Sequence, residues 1–460
     1  MRQRLYVTLA LLAGFTGMAS ANPFAQLQKD LTSNPAMHVG MVVLAPETGA
    51  TLYQYQGEQY FHPASNAKLL TATAAMLSLG SDYHFITSLN TQKPIYGASI
   101  NGNVYLDFSG DPSLQANDIL SLLRILKQKG VSTINGNVIL DNTIFPPNLQ
   151  ALGVIRDDSM WAYGAEARSI IIDENNAWVS FSAHTPAPQI QKVIPDNIKV
   201  TSNLTWETPE HQTLCSFNAT PINATTINLA GCLPTRLDGT LGLALPDPDL
   251  YAVNLVSKDL ASLGIKLSGN VTLGTMPSGM IVIAQHNSAP LSTLLTTMLK
   301  NSDNLYASAI TKTMALKRYG IGGDKAGAAA IMDYLAPYQL PPYKLEDGAG
   351  RSYYDLVTPM VMAQLLYHVS QNPELARFLR SALPIVAVDG TLANFPTTVL
   401  KGKIIAKTGT MTDTSALSGF ITTKSGRQLI FSLLIDDTPL NHKDLKLFQA
   451  QILQDLYQNF

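Results

Sequence analysis

The 460-residue chain is too long for one ordinary domain. Hydrophobic residues make up 46% and charged residues 14%, which excludes a disordered or charge-patterned protein and leaves ample apolar surface for a core. The formal net charge of −2 gives no basic excess to hold a phosphate backbone, arguing against nucleic-acid binding, and two cysteines exclude a disulfide-rich scaffold or a four-thiolate metal site.

Arg2 and Arg4 precede an apolar or small run over residues 7–18, and Ala19-Ser20-Ala21 has the small-x-small form of a cleavage site. Residues 1–21 therefore read as a cleaved signal peptide; the apolar run falls short of the ~20 residues that span a bilayer. No later apolar run is long enough to cross a membrane, so association with one is peripheral at most. In an exported chain Cys215 and Cys232 form a candidate disulfide, closing a loop for which a bridge contributes about 3 kcal/mol; two buried free thiols are the alternative.

Residues 38–44 and 51–55 are β-rich and flank Pro46-Glu47-Thr48-Gly49, which predicts a hairpin. Pro63 then opens and Gly80 closes a small and apolar stretch over 65–79, which predicts a helix. The next two hundred residues are rich in Asn, Thr, Ser and Pro and carry an internal repeat. Ile100-Asn101-Gly102-Asn103-Val104-Tyr105-Leu106-Asp107 returns as Ile134-Asn135-Gly136-Asn137-Val138-Ile139-Leu140-Asp141, and more weakly as Leu267-Ser268-Gly269-Asn270-Val271-Thr272-Leu273. The second and third copies each follow a helical pattern ending in Gly130 or Gly264, so they read as helix–strand units with a glycine turn or bulge. Their irregular spacing speaks against a solenoid and for small α/β modules inserted into something else. Helical patterns return over 291–300, 305–318, 327–335 and 359–369, strands over 404–408, 416–422 and 428–435, and a closing helix carries Leu445, Phe448, Ile452, Leu453 and Leu456.

Three strings carry chemistry: Ser65-Asn66-Ala67-Lys68, Ser302-Asp303-Asn304 and Lys407-Thr408-Gly409. Each alone is weak; together and in this order they match the serine acyl-transfer set of penicillin-binding proteins and class A β-lactamases. Ser65 is placed in the first turn of the helix, where unpaired N–H groups favour developing negative charge, and Lys68 lies one turn on along the same face. A serine hydroxyl needs such a base, and the base must be neutral: deprotonating an ordinary lysine at pH 7 costs about 4.6 kcal/mol. Burial and a second cation, for which Lys407 is the candidate, can supply that shift. Ser302 is positioned to relay a proton to the leaving amine, and Asn304 to hydrogen-bond Lys68 and the substrate backbone. Lys407 and Thr408, at a strand edge, can hold a terminal carboxylate, with Gly409 leaving room for an extended peptide. The N–H groups of Ser65 and Thr410 complete an oxyanion hole. The histidines show no metal-ligand spacing, no G-x-S-x-G elbow exists, and no cofactor is expected. No E-x-x-L-N string lies between Asn304 and Lys407, so the deacylating base of a β-lactamase is not visible.

The strings Phe61-His62-Pro63-Ala64-Ser65-Asn66-Ala67-Lys68-Leu69-Leu70, Lys300-Asn301-Ser302-Asp303-Asn304, Asp347-Gly348-Ala349-Gly350, Asp389-Gly390-Thr391-Leu392 and Ala406-Lys407-Thr408-Gly409-Thr410 together resemble the class C low-molecular-mass penicillin-binding proteins of the type-4 kind, nearly end to end. The resemblance implies an α/β (α+β) fold: a β-lactamase/DD-peptidase-like domain with an antiparallel sheet flanked by helices, formed by 22–84 and 285–460. Two nested α/β domains would interrupt it, one from 85–108 and 188–284 and one from 109–187. It implies a periplasmic D-Ala-D-Ala carboxypeptidase and endopeptidase acting on peptidoglycan stem peptides and cross-links, with β-lactams as covalent inhibitors; a homodimer is compatible with it. Asp158 and Tyr163 match an acid-plus-aromatic segment leaning over the site in similar enzymes. Ala349-Gly350 departs from the usual S/T-G, and Tyr353 stands where some members place a side-arm arginine, with Arg351 two positions earlier.

Overall fold

The computed structural model describes residues 24–33, 37–146, 150–182, 185–207, 216–233, 239–438 and 440–460. The expected signal peptide lies outside the described residues.

The two ends of the chain build one sheet. Its five antiparallel strands run in the order Ile404–Thr410, Ser415–Thr422, Gln428–Asp436, His38–Leu44, Thr51–Tyr55, with His38 opposite Asp436 and Leu44 opposite Ile430. Its middle strands are buried along nearly their whole length because both faces are covered. Alternate residues feed two cores. Val42, Leu44, Phe420, Ile430 and Leu434 pack under helices Ala67–Ser78, Leu291–Asn301, Asn304–Tyr319 and Pro359–Gln371. Met41, Val43, Leu417, Phe431 and Leu433 pack under helices Ala25–Leu31 and His442–Asn459.

The hairpin forms as the sequence predicts, with strands at 38–44 and 51–55. The predicted helix over 65–79 differs at its start: Ala64–Asn66 is a 3₁₀ turn and the α-helix runs Ala67–Ser78. Ser65 therefore precedes the α-helix rather than sitting in its first turn. All of that helix except Leu77 is buried, so its small residues serve close packing on every side. A helix at Pro373–Ala382 adds to the predicted set; Asn372 caps it by accepting from Glu374 N and Leu375 N, and Pro373 occupies the first turn.

The three sequence repeats stack side by side. Each splits into two short strands at its glycine, and the second copy pairs in parallel with the other two: Ile134 with Ile100 and with Leu267, Val138 with Val104 and with Val271. Asn103 Oδ1 accepts from Asn137 N and Asn137 Oδ1 from Asn270 N, both at 2.9 Å, so the asparagines form a ladder across the copies. The glycines are required by the stacking: a Cβ on Gly136 would stand 2.3 Å from Gly102 O, and one on Gly269 2.6 Å from Gly136 O. The copies thus behave as rungs of one stack although they are scattered in sequence. Strand Ile86–Thr91 pairs with Val104–Asp107 and with Ile281–Asn287, closing the larger sheet. The domain boundary expected at residue 109 runs through this sheet. A separate apolar core, drawn from residues between Leu89 and Val271, lies beneath it.

Cys232 ends up on strand Thr226–Leu233 and is disulfide-bonded; Cys215 lies outside the described residues.

Candidate active site

The three strings converge. Lys68 Nζ lies 2.8 Å from Ser65 Oγ, 2.7 Å from Asn304 Oδ1 and 2.6 Å from Ala349 O. Lys407 Nζ lies 2.9 Å from Ser302 Oγ and 2.7 Å from Thr408 O. Asn66 Nδ2 donates to Lys407 O at 3.1 Å, tying the Ser65 turn to the strand that carries Lys407. On the other side His62, through both its backbone N–H and Nδ1, engages Asp436 Oδ2 at 2.7 and 3.0 Å. Two non-glycine residues are held in the left-handed region here, Ala64 at φ +43° and Ser302 at φ +60°. Such conformations cost about 1–3 kcal/mol each and persist only where the surroundings over-determine them.

Both lysines are wholly buried. Burial lowers Lys68 to about 7; Asp347 and Asp303 oppose the shift and Arg351 adds to it. Burial, then the Lys68 cation, lowers Lys407 well below its usual range. The repulsion between them is mutual, so protonating either makes the other harder to protonate. The cation expected to assist at Lys68 was Lys407; the cation that adds to the lowering of Lys68 is Arg351, which the sequence singled out only in connection with the side arm. The geometry also orients the amine. Asn304 Oδ1 and Ala349 O are acceptors only, so a neutral Lys68 spends its two N–H bonds on them and turns its lone pair to the Ser65 hydroxyl.

Gly409 has a different reason from the one expected. A Cβ there would stand 2.7 Å from Pro63 O and 3.1 Å from Ala64 Cβ, so the glycine admits the Ser65 turn against the strand rather than clearing the outer groove. Thr408, on the opposite face, hydrogen-bonds Thr391 Oγ1 at 2.7 Å. The Thr391 segment is held by Asp389, whose carboxylate takes Lys300 Nζ at 2.5 Å and Ile385 N at 2.8 Å.

Ser65 sits between two open cavities of about 430 Å³ each. Ser302, Thr391, Phe395, Thr408 and Thr410 help line one, with Lys446 from the last helix at its far wall. Asp158, Tyr163, Asn304, Arg351 and Thr410 help line the other. Tyr163 Oη donates to Asp158 Oδ1 at 2.9 Å, and its phenol is pushed up to about 12 by burial and by that carboxylate. The Tyr163 backbone carbonyl accepts from Asn304 Nδ2 at 2.8 Å, so the inserted segment orients the amide that faces Lys68.

A model of the D-Ala-D-Ala carboxypeptidase 3 (S13) family matches residues 24–457. The chain belongs to this family. It is 27% identical over 427 residues to the D-alanyl-D-alanine carboxypeptidase DacB of Haemophilus influenzae, covering 91% of this chain and 89% of that one. It is 28% identical over 445 residues to the D-alanyl-D-alanine carboxypeptidase of Actinomadura sp. (strain R39), covering 90% and 82%. The crystal structure of penicillin binding protein 4 from Haemophilus influenzae superposes with a TM-score of 0.84 at 27% identity, over 94% of this chain and 99% of that one. The same protein complexed with a β-lactam superposes at 0.80. This S13 member is thus a serine-type peptidase of the D-Ala-D-Ala carboxypeptidase and penicillin-binding protein group, and its mixed α/β fold with an antiparallel sheet is that of its relatives.

Reading the strings alone missed several roles in this S13 site. Ala349 contributes only a carbonyl, which no side chain announces. Arg351 presents Nε and Nη2 as buried atoms with no hydrogen-bond partner. His442 and Lys446 reach the cavities from a helix whose apolar spacing spoke only of packing. Among the described residues no group of side chains suited to a metal is present, and no helix is long and apolar enough to cross a membrane.

Proposed function

We propose that the chain is a periplasmic serine DD-peptidase that hydrolyses peptidoglycan stem peptides, trimming the terminal D-alanine and cleaving cross-links, through an acyl-enzyme on Ser65 that penicillins also form. The observation that carries this is the Lys68 amine, 2.8 Å from Ser65 Oγ with its other two partners both obligate acceptors. Ser65 Oγ attacks the carbonyl carbon and its proton passes to Lys68 Nζ. The N–H groups of Ser65 and Thr410 hold the oxyanion. The C–N bond breaks, and Ser302, beside Lys407, passes a proton to the departing amine. Lys407 and Thr408 hold the terminal carboxylate, with Gly409 allowing the strand its place. Water then cleaves the ester and restores the serine. The cavity with Asp158, Tyr163 and the unpartnered Arg351 nitrogens receives the side arm of the stem peptide. Residues 22–84 and 285–460 carry the chemistry, and 85–284 form the insert that delivers Tyr163 to Asn304.

Incubation with labelled penicillin followed by mass spectrometry places the adduct on Ser65, and Ser65→Ala carries none. A pentapeptide then loses its last residue, and a cross-linked dimer is split. Rapid turnover of a chromogenic cephalosporin with no lasting adduct would instead make the chain a β-lactamase. Export from a bacterial cell with loss of residues 1–21 tests the location.

A further inference from the structure

Two buried carboxyl groups, Asp347 and Asp355, lie behind the Lys68 amine and take no part in the steps above. Asp347 is 4% exposed and Asp355 0%. Asp347 is wrapped by successive backbone donors: its Oδ1 takes Ala349 N at 2.9 Å and Gly350 N at 2.5 Å, and its Oδ2 takes Arg351 N at 3.0 Å. These bonds shape the tight turn over 348–351. That turn presents Ala349 O to Lys68 Nζ at 2.6 Å and Gly348 O to Thr71 Oγ1 at 2.6 Å. It also lays Gly350, at φ +77°, so close to the Ser65 turn that a Cβ would meet Ala64 O at 1.8 Å.

Asp355 stands against this arrangement from behind. Its Oδ1 accepts from Glu346 N at 2.6 Å, while its buried Oδ2 meets no N–H or O–H donor. Asp355 is in hydrogen-bonding contact with Asp347, through both its side chain and its backbone. Two carboxylates in such contact repel; one carboxylic acid and one carboxylate share a hydrogen bond. Burial and the neighbouring Asp347 push Asp355 up to about 9, so it is the member that keeps its proton at neutral pH. The charged groups bearing on this pair are Lys68 on the nucleophile helix, Asp324 and Lys312 on the helices behind, and Glu346 and Arg351 on the same segment.

We propose that Asp355 is a positioning residue for the acylation step: as a neutral acid it donates a hydrogen bond to Asp347 and locks the 348–351 turn that aims the Ala349 carbonyl at the Lys68 amine. It also limits this pair to a single negative charge. Asp347 and Asp303 already oppose the lowering of Lys68, and a further anion would hold the base protonated more strongly. The inference deepens the reading of Lys68 as the base and rests on it.

The amide of Asn is a permanent neutral donor of the same shape, so Asp355→Asn restores what Asp355→Ala loses. The measured quantity is the second-order rate of penicillin acylation at Ser65. At pH 7.5 Asp355→Ala falls about tenfold or more and Asp355→Asn stays within about threefold of the natural chain. Between pH 8.5 and 10.5 the natural chain loses rate as Asp355 ionises, whereas Asp355→Asn lacks that component. Stability gives a readout free of activity. A carboxyl whose folded pKa is raised contributes stability below its unfolded pKa of about 4 and loses it as pH rises through about 9. The Tm of Asp355→Asn therefore gains on the natural chain from pH 5 to 9 by several degrees and levels off above. Asp355→Asn as impaired as Asp355→Ala, an unaffected Asp355→Ala, or a Tm gap that does not change with pH would each overturn the proposal. A natural chain that takes no acyl group would defeat the reading of Lys68, while the Tm gap would still report on Asp355.

Discussion

The sheet built by the chain ends and the stack built by its middle solve opposite problems. In the stack asparagines meet their own copies: Asn103, Asn137 and Asn270 ladder across the rungs, and Asn135 Nδ2 donates to Asn101 Oδ1 at 2.8 Å. Around Ser65 the buried polar groups are unlike one another and sit in tension: two wholly buried lysines, a carboxyl pair and backbone in the left-handed region at Ala64 and Ser302. The stack uses its polarity for register. The site uses it to hold a proton in an unfavourable place, which is what moving that proton during a reaction requires. The middle of the chain meets the part built by its ends through Ala165, Ala167 and Ile171 against Leu305 and Ala309, through the Tyr163–Asn304 bond, and through Lys312 Nζ to Ala167 O and Ser352 Oγ to Leu152 O.

The contrast can be broken most sharply at Lys68. Lys68→Ala removes the base and lowers penicillin acylation by roughly 10²–10⁴-fold while the fold survives, since the stack does not depend on it. In the natural chain the acylation rate rises about tenfold per pH unit below about 7 and flattens between about 7 and 8.5, before the loss expected from Asp355, because only the neutral amine accepts the proton; a rise that continues past pH 9 would show that burial does not lower this lysine. Gly409→Ala acts next. Its Cβ is driven toward Pro63 O, separating the Ser65 turn from the strand, and both acylation and stability fall, the latter by about 1–3 kcal/mol. The mildest change to function is Gly136→Ala. The same kind of backbone collision, 2.3 Å from Gly102 O, lowers Tm by a few degrees yet leaves the acylation rate of the folded protein unchanged. If Gly136→Ala slowed acylation as much as Gly409→Ala, the two regions would be one mechanical unit.

Much of the site was legible because its chemistry needs particular side chains at short range. Ser65 and Lys68 are one turn apart, and the strand Ile404–Thr410 announces itself by β-branched residues around Lys407. The hairpin and the closing helix were legible for the same local reason. What escaped was whatever acts through backbone or through distance. Ala349 works by its carbonyl, Asp355 by facing Asp347, and Gly409 by admitting Pro63 from a segment hundreds of residues away. The repeat was visible as a repeat, but its irregular spacing hid that the copies pair, since register depends on where the intervening helices Ala116–Gln128 and Pro248–Ser262 return the chain.

By itself, then, the order of residues determined the element types, the nucleophile and its base, and the membership of the three strings in one acyl-transfer set, because periodicity, turn chemistry and motif spacing are local properties of a chain. Only the tertiary structure decided that burial lowers the pKa of both lysines, that Arg351 and Asp347 bear on Lys68, and that three scattered copies form one ladder. Those facts depend on which surfaces exclude water together, and desolvation is a property of the packed whole.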